Sequence, residues 1–281
     1  MANVKVVTDS ASDLPDDLAR ECGIEVVPLT IRFGDEEFTD REDLSPAEFW
    51  IKCRDSPTLP ETAAPSPGRF QDVYRRAREE GCDGVVVLTI SSALSATHGS
   101  ATLAAEAMAG EIEVRVVDTL NVAMGEGLIA IEVAERARAG AGLDELVGVA
   151  HDAMARAGVV ATLDTLDHII RGGRIGGAKA LIGQVLSIKP LVALRDGVVA
   201  EAGRARTRAK ALAACAERVR AEAPLSRLAL IQGGCAEDDV AAMRALVADI
   251  AVAHPMLEAD IGPVVGTHAG PGVIGLTWLR A

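Results

Sequence analysis

One run of residues constrains this chain more than any other: GVVVLTI (84–90), apolar at every position but Thr89 and flanked by turn-forming residues. A strand with one wet face alternates in polarity. A strand apolar throughout must be covered on both faces, the usual state inside a parallel sheet. The Ala-rich segment that follows predicts a helix over about 95–108 as one of those covers. The pairing recurs. A β-branched run at 4–7 leads into a polar loop and a helix ended by Gly23, with Ser12 or Asp13 as its cap and Pro15 in its first turn. IEVVPLTIRF (24–33) reads as one long strand before a Gly34-Asp35 turn. Ser45-Pro46 and Ser66-Pro67 read as helix starts, and IEVRVV (112–117) precedes helices near 125–139 and 143–157. Strands alternating with helices predict an α/β fold with a mainly parallel sheet.

Past Gly158 the rhythm changes. VVATL is strand-like and is followed by the glycine-rich RGGRIGGAK (171–179). SIKPLVALRDGVVAEAGRARTR reads as strand, Asp196-Gly197 hairpin turn and strand. A helix over about 208–223 is capped by Thr207, LALIQGG is a strand, and 236–252 is a helix. The last 25 residues read as two strands around a tight loop. Hairpins here imply a mixed sheet. The expectation is therefore two α/β domains: residues 1–156 with a mainly parallel sheet and flanking helices, and residues 157–281 with a mixed sheet.

Composition removes several functions. Aromatic residues are only 2% of the chain, so base-stacking platforms are hard to assemble and the cores must be aliphatic. The net charge of −13 repels nucleic acid and anionic membrane surfaces. No apolar run approaches the ~20 residues of an integral membrane segment. The opening MANVKVVTDS has no long apolar core with a cleavage site. The expected location is cytoplasmic. Five scattered cysteines form no C-x-x-C pair, and five histidines form no helical zinc motif, so no metal is expected. Charge is uneven: residues 171–220 carry eleven Lys/Arg against three Asp/Glu. That segment is either a solvated face balanced by acids elsewhere or a basic dock for an acidic or phosphate-bearing partner.

The motifs for common chemistries fail on spacing. GEGLIA (125–130) has the glycines of a dinucleotide fingerprint, but seven residues separate it from the preceding strand, and RGGRIGG is spaced wrongly. Ser95, Thr97 and His98 are close in sequence without a nucleophile elbow; a capped helix start explains them better than a hydrolase site. Three hydroxyl-bearing loops each precede a helix: TDSASDLP (8–15), ETAAPSP (61–67) and TISSALSAT (89–97). The last lies at the carboxyl end of the buried strand, where helix N–H groups can bind an anion.

Taken together and in order, these loops resemble the DegV family, whose members include the fatty-acid-binding subunits of bacterial fatty acid kinase. VTDSASDLP (7–15), TAAPSPGRF (62–70), ISSALSATHGSA (90–101), VVDTLNVAMGEG (116–127), LDHIIRGGRIG (166–176), SIKPLVALRDGVV (187–199), GRARTRAKA (203–211) and HAGPGVIGL (268–276) carry the likeness. It departs from the family pattern at Ala63 and Ala64, where Ser and Gln are usual, at Ala96 for Gly and at Ala123 for Ser. The resemblance implies one long-chain fatty acid between two domains and no cofactor. Its carboxylate would be held by Thr62, by Ser92 or Ser95 with Thr97 beside them, and by His268. It further implies an ATP-binding fatty acid kinase subunit as partner, to which this chain presents the carboxylate without a catalytic centre of its own. Arg171, Arg174, Arg204 and Arg206 are the docking candidates. A fatty-acid sensor or store, and an esterase using Ser95 and His268, are the alternatives.

Overall fold

The structure is a computed structural model that describes residues 2–181 and 188–281. Ser187, the first residue of the SIKPLVALRDGVV motif, lies outside the described residues. The first half of the chain contributes β1 (Val4–Asp9), α1 (Asp16–Cys22), β2 (Ile24–Val27), β3 (Thr30–Phe33), β4 (Glu36–Thr39), α2 (Pro46–Asp55), β5 (Glu61–Ala63), α3 (Pro67–Glu79), β6 (Gly84–Thr89), α4 (Thr97–Ala107), β7 (Glu113–Asp118), α5 (Met124–Arg138) and α6 (Leu143–Arg156). The rest contributes β8 (Ala157–Thr162), α7 (Asp167–Arg171), β9 (Lys189–Arg195), β10 (Val198–Ala205), α8 (Arg208–Arg220), β11 (Leu225–Gly233), α9 (Glu237–Val247), β12 (Leu257–Asp260), α10 (Pro263–Ala269) and β13 (Val273–Arg280).

The fold is α/β, as expected. β2, β1, β6 and β7 form a parallel sheet in that order. The GVVVLT strand is buried at all six positions because it is interior. Val85 and Val87 pack with Phe70, Val73 and Tyr74 of α3, while Val86 and Leu88 face the opposite core. A mixed six-stranded sheet runs β10-β9-β8-β13-β11-β12, with α8 and α9 on one face. Between the two sheets lies α5, which touches β1 on one side and β8 and β13 on the other. That position explains its unbroken burial from Met124 to Ile131, since a helix between two sheets has no wet face.

Three expectations change. IEVVPLTIRF is two strands: Pro28 lacks the N–H a ladder needs, and the chain turns there from the parallel sheet into a separate antiparallel sheet ordered β4-β3-β5. Ser12 and Asp13 do not cap α1. Residues Ser10–Ser12 form one 3-10 turn, Asp13 is left-handed at φ 50°, and Pro15 is the N-cap. The C-terminal loop contains α10, which Pro263 starts and Gly270 ends.

Candidate functional site

The chain runs from β1 to β2 on one side and reaches β6 on the other, so a crevice opens at the carboxyl ends of β1 and β6. The second sheet closes it. The result is a cavity whose walls are almost wholly aliphatic: Val159 and Ala161 of β8, Val192 of β9, Ile231 of β11, and Val264 and Val265 of α10. The cavity volume is about 110 Å³.

Among the described lining residues, four carry a hydroxyl or an ionisable group: Thr62, Ser95, Arg174 and His268. Thr62 stands on β5, opposite Ile31 of β3. Its Oγ1 lies 2.9 Å from His268 Nε2, in the last turn of α10. His268 Nδ1 is buried with no partner. An orphan acceptor costs less than an orphan N–H, so the favoured tautomer carries its proton on Nε2 and donates it to Thr62. The Thr62 hydroxyl proton is then free to donate into the cavity. Burial, with the nearby charges of Arg174 and His168, pushes the His268 pKa down to about 4, so the ring is neutral near pH 7. A Cβ on Gly172 would sit 2.2 Å from His268 Nδ1; only glycine lets this turn approach the ring so closely.

Ser95 Oγ lies 2.9 Å from Thr97 Oγ1 and accepts the Thr97 N–H at 3.3 Å, fixing it at the start of α4. The Arg174 guanidinium donates to Leu94 O at 3.0 Å and to Gly172 O at 2.6 Å. Two of its five N–H groups are thereby used, which pins its plane and leaves donors for an anion.

The structure thus brings Thr62, Ser95 and His268 together, with Thr97 behind Ser95. Ser92 is exposed, its N–H donates to Asp118, and it does not line the cavity. Arg174 stands at the cavity rather than on an outer face. Arg171 is exposed on the adjoining groove; Arg204 is exposed on β10 and Arg206 just beyond its end, and neither lines the cavity. Ala63, Ala64 and Ala96 do not line the cavity, whereas Ala123 does. Sequence reasoning placed Arg174 with the docking arginines. Its position three residues after Arg171, across two glycines, was the available sign that the chain folds back there.

The family model described as an uncharacterised protein of the DegV family matches residues 3–281. The chain belongs to the DegV family. A DegV domain-containing protein of Deinococcus radiodurans is 39% identical over 277 residues, covering 98% of this chain and 97% of the relative. Among solved structures, a DegV family protein from Thermus thermophilus, described by its fatty acid binding, superposes with a TM-score of 0.91 at 36% identity. The match covers 99% of this chain and 100% of that one. DegV of Bacillus subtilis, described as a fatty acid binding protein, superposes with a TM-score of 0.89 at 27% identity, covering 99% of each chain. No described helix is long and apolar enough to cross a membrane.

Proposed function

We propose that this protein binds one long-chain fatty acid in the aliphatic cavity, between domains comprising residues 1–156 and 157–281, and presents the carboxylate to an ATP-binding kinase subunit. The observation that carries this reading is the asymmetry of the cavity: its walls are aliphatic, and its polar side chains are drawn together by the Thr62–His268 contact, the Arg174 charge beside His268 and the Arg174 bond to Leu94 O next to Ser95. Burial contributes ~0.8 kcal/mol per methylene, so a tail of about fifteen is worth on the order of 10 kcal/mol before association costs. Thr62 and Ser95 offer hydroxyl donors to the carboxylate and Arg174 a charge. A neutral His268 orients Thr62 without competing for a proton. Fatty-acid binding by the Thermus thermophilus and Bacillus subtilis proteins supports the choice of ligand.

The esterase alternative is less favoured because a serine nucleophile needs a base within hydrogen-bond reach. Here Ser95 partners Thr97 and His268 partners Thr62. The kinase coupling is supported by the groove beside Thr62 and His268, which carries the exposed Arg171, and by the exposed Arg204 and Arg206 on a chain otherwise rich in acid. A cytoplasmic location is part of the same reading.

The decisive experiment is mass spectrometry of an organic extract of the purified, denatured protein. One fatty acid per chain is expected. Its absence, with no uptake of added oleate or palmitate, overturns the reading. For the coupling, Arg204→Glu with Arg206→Glu is expected to weaken phosphorylation by the kinase subunit while bound lipid stays at wild-type level; unchanged phosphorylation removes the docking assignment, and no phosphorylation of the wild type leaves a sensor or store.

A further inference from the structure

The motif VTDSASDLP (7–15) contributes no side chain to the cavity, yet it holds two buried acids, Asp9 and Asp13, at 0% and 4% exposure. Asp9 ends β1. Its Oδ1 accepts the Ala11 N–H at 3.0 Å, and its Oδ2 accepts the Ile90 N–H at 2.8 Å. Asp13 follows the 3-10 turn, and its Oδ1 accepts the Gly262 N–H at 2.9 Å. Both reach far along the chain, and both targets matter. Ile90 is where the chain leaves β6 for the loop that carries Ser95. Gly262 is the N-cap of α10, which carries His268. One short motif is thus bonded to both supports of the polar cluster.

We propose that Asp9 and Asp13 are positioning residues for the carboxylate site, setting the span between Ser95 and His268 by gripping the backbone beneath each. This deepens the fatty-acid reading and rests on it. Burying a carboxyl is costly, and an apolar side chain would fill either position at less expense to stability. What a carboxyl oxygen adds is direction, since a buried acceptor fixes the distance and angle of the N–H that it pairs with. The supports have other ties: Ser91 N–H donates to Asn121 O at 2.9 Å, and Trp50 Nε1–H donates to Ile261 O at 3.1 Å. Losing one carboxyl therefore shifts the site without unfolding it.

The two acids differ in a way that makes the idea testable. Asp9 uses both oxygens, whereas Asp13 Oδ2 has no partner. Asn in place of Asp13 keeps the acceptor for Gly262; Asn in place of Asp9 must give up Ala11 or Ile90.

The test compares oleate with methyl oleate on the full chain, since both fill the tunnel and only oleate is an anion. Asp13→Ala is expected to weaken oleate about tenfold while methyl oleate changes by less than about twofold. Asp13→Asn should restore oleate binding, and Asp9→Asn should behave like Asp9→Ala. Equal losses for acid and ester, or no loss for a folded Asp13→Ala protein, overturn the proposal. Wild-type protein that binds neither compound overturns the fatty-acid reading and the proposal with it. Should the alanine variants not fold, amide hydrogen exchange decides on the wild type. Protection at Ile90 and Gly262 should rise when oleate is added, and unchanged protection at both overturns the proposal.

Discussion

The two ends of the cavity are built on different principles. The tail end is made largely of strand interiors, where Val159, Ala161, Val192 and Ile231 contribute only shape and an absence of polar atoms. The head end is made of element termini: Thr62 on a three-residue strand, Ser95 before α4, His268 in the last turn of α10, and Arg174 beyond a glycine turn. Affinity belongs to the first because hydrophobic burial is additive and undirected. Orientation belongs to the second because hydrogen bonds need fixed geometry and give a modest net gain in water. The ends should therefore fail differently when altered.

The largest expected effect is at the tail. Val192 is half-buried and lines the cavity. Val192→Trp should displace about four methylenes, costing roughly 3 kcal/mol, or more than about a hundredfold in affinity. The loss should be equal for oleate and methyl oleate, measured by calorimetric titration with the melting temperature as a control for folding. Thr62→Val should weaken oleate by about tenfold and the ester hardly at all. If both variants discriminated acid from ester alike, the division of labour between the ends would be wrong.

The next effect, on stability, comes mainly from beneath the head end: among the described residues lining the cavity the shifted group is His268, whose lowered pKa adds stability as pH rises from about 4 to about 6.5. Below the head end Asp9, Asp13, Asp40 and Glu126 are all buried, with Arg41 as the nearby cation and Asp16 and Asp260 as further acids. Burial raises Asp9 to about 7, against hydrogen bonds from the Ile90 and Ala11 amides. Burial raises Asp40 to about 6, and it raises Asp13 and Glu126 well above ordinary carboxyl values. A carboxyl whose pKa is higher folded than unfolded binds more protons in the folded state. Its stabilising contribution is complete below pH about 4 and is lost as pH rises through about 6 to 7. Above pH about 6.5, where the His268 contribution is complete, stability should fall toward pH 8 by on the order of a few kcal/mol. Asp40 Oδ1 has no partner, so Asp40→Asn should match the wild type near pH 5 and melt higher at pH 8. Calorimetric melting temperatures that fall with the same slope in both proteins would remove Asp40 from the cause.

The two ends also differed in how plainly the sequence announced them. The parallel strands were readable because GVVVLT is buried on both faces, and burial on both faces is a property of local composition. The second sheet was readable from the Asp196-Gly197 hairpin, which joins β9 to β10. The break at Pro28 was missed because β2 and β3 each satisfy the strand pattern, and only tertiary placement assigns them to different sheets. Thr62, Ser95 and His268 came from family resemblance; they are 206 residues apart at the extremes, and no local rule connects them. That Ser95 and not Ser92 lines the cavity depends on the turn at 92–94, which exposes Ser92. The tail wall was not legible residue by residue, since aliphatic side chains lining a cavity and those filling a core have the same composition.

The smallest effect is expected at the start of α5. Ala123 lines the cavity, and as the N-cap of α5 it is held at φ 54° and ψ −151°, its N–H donating to Ala11 O at 2.8 Å. That region is nearly reserved for glycine, and another residue there costs on the order of 1–3 kcal/mol. Ala123→Gly should relieve the strain, offset in part by about 0.5–1 kcal/mol of added freedom in the unfolded chain. A net gain of about 1 kcal/mol is expected, read as a higher midpoint in urea with an unchanged slope. The same change removes one methyl from the wall. If Ala123 serves the tail end, acid and ester affinities should shift together and by less than about threefold. A selective change for oleate would instead mean that the strained residue sets the position of the head group, and the boundary between the two ends would have to move to include the start of α5.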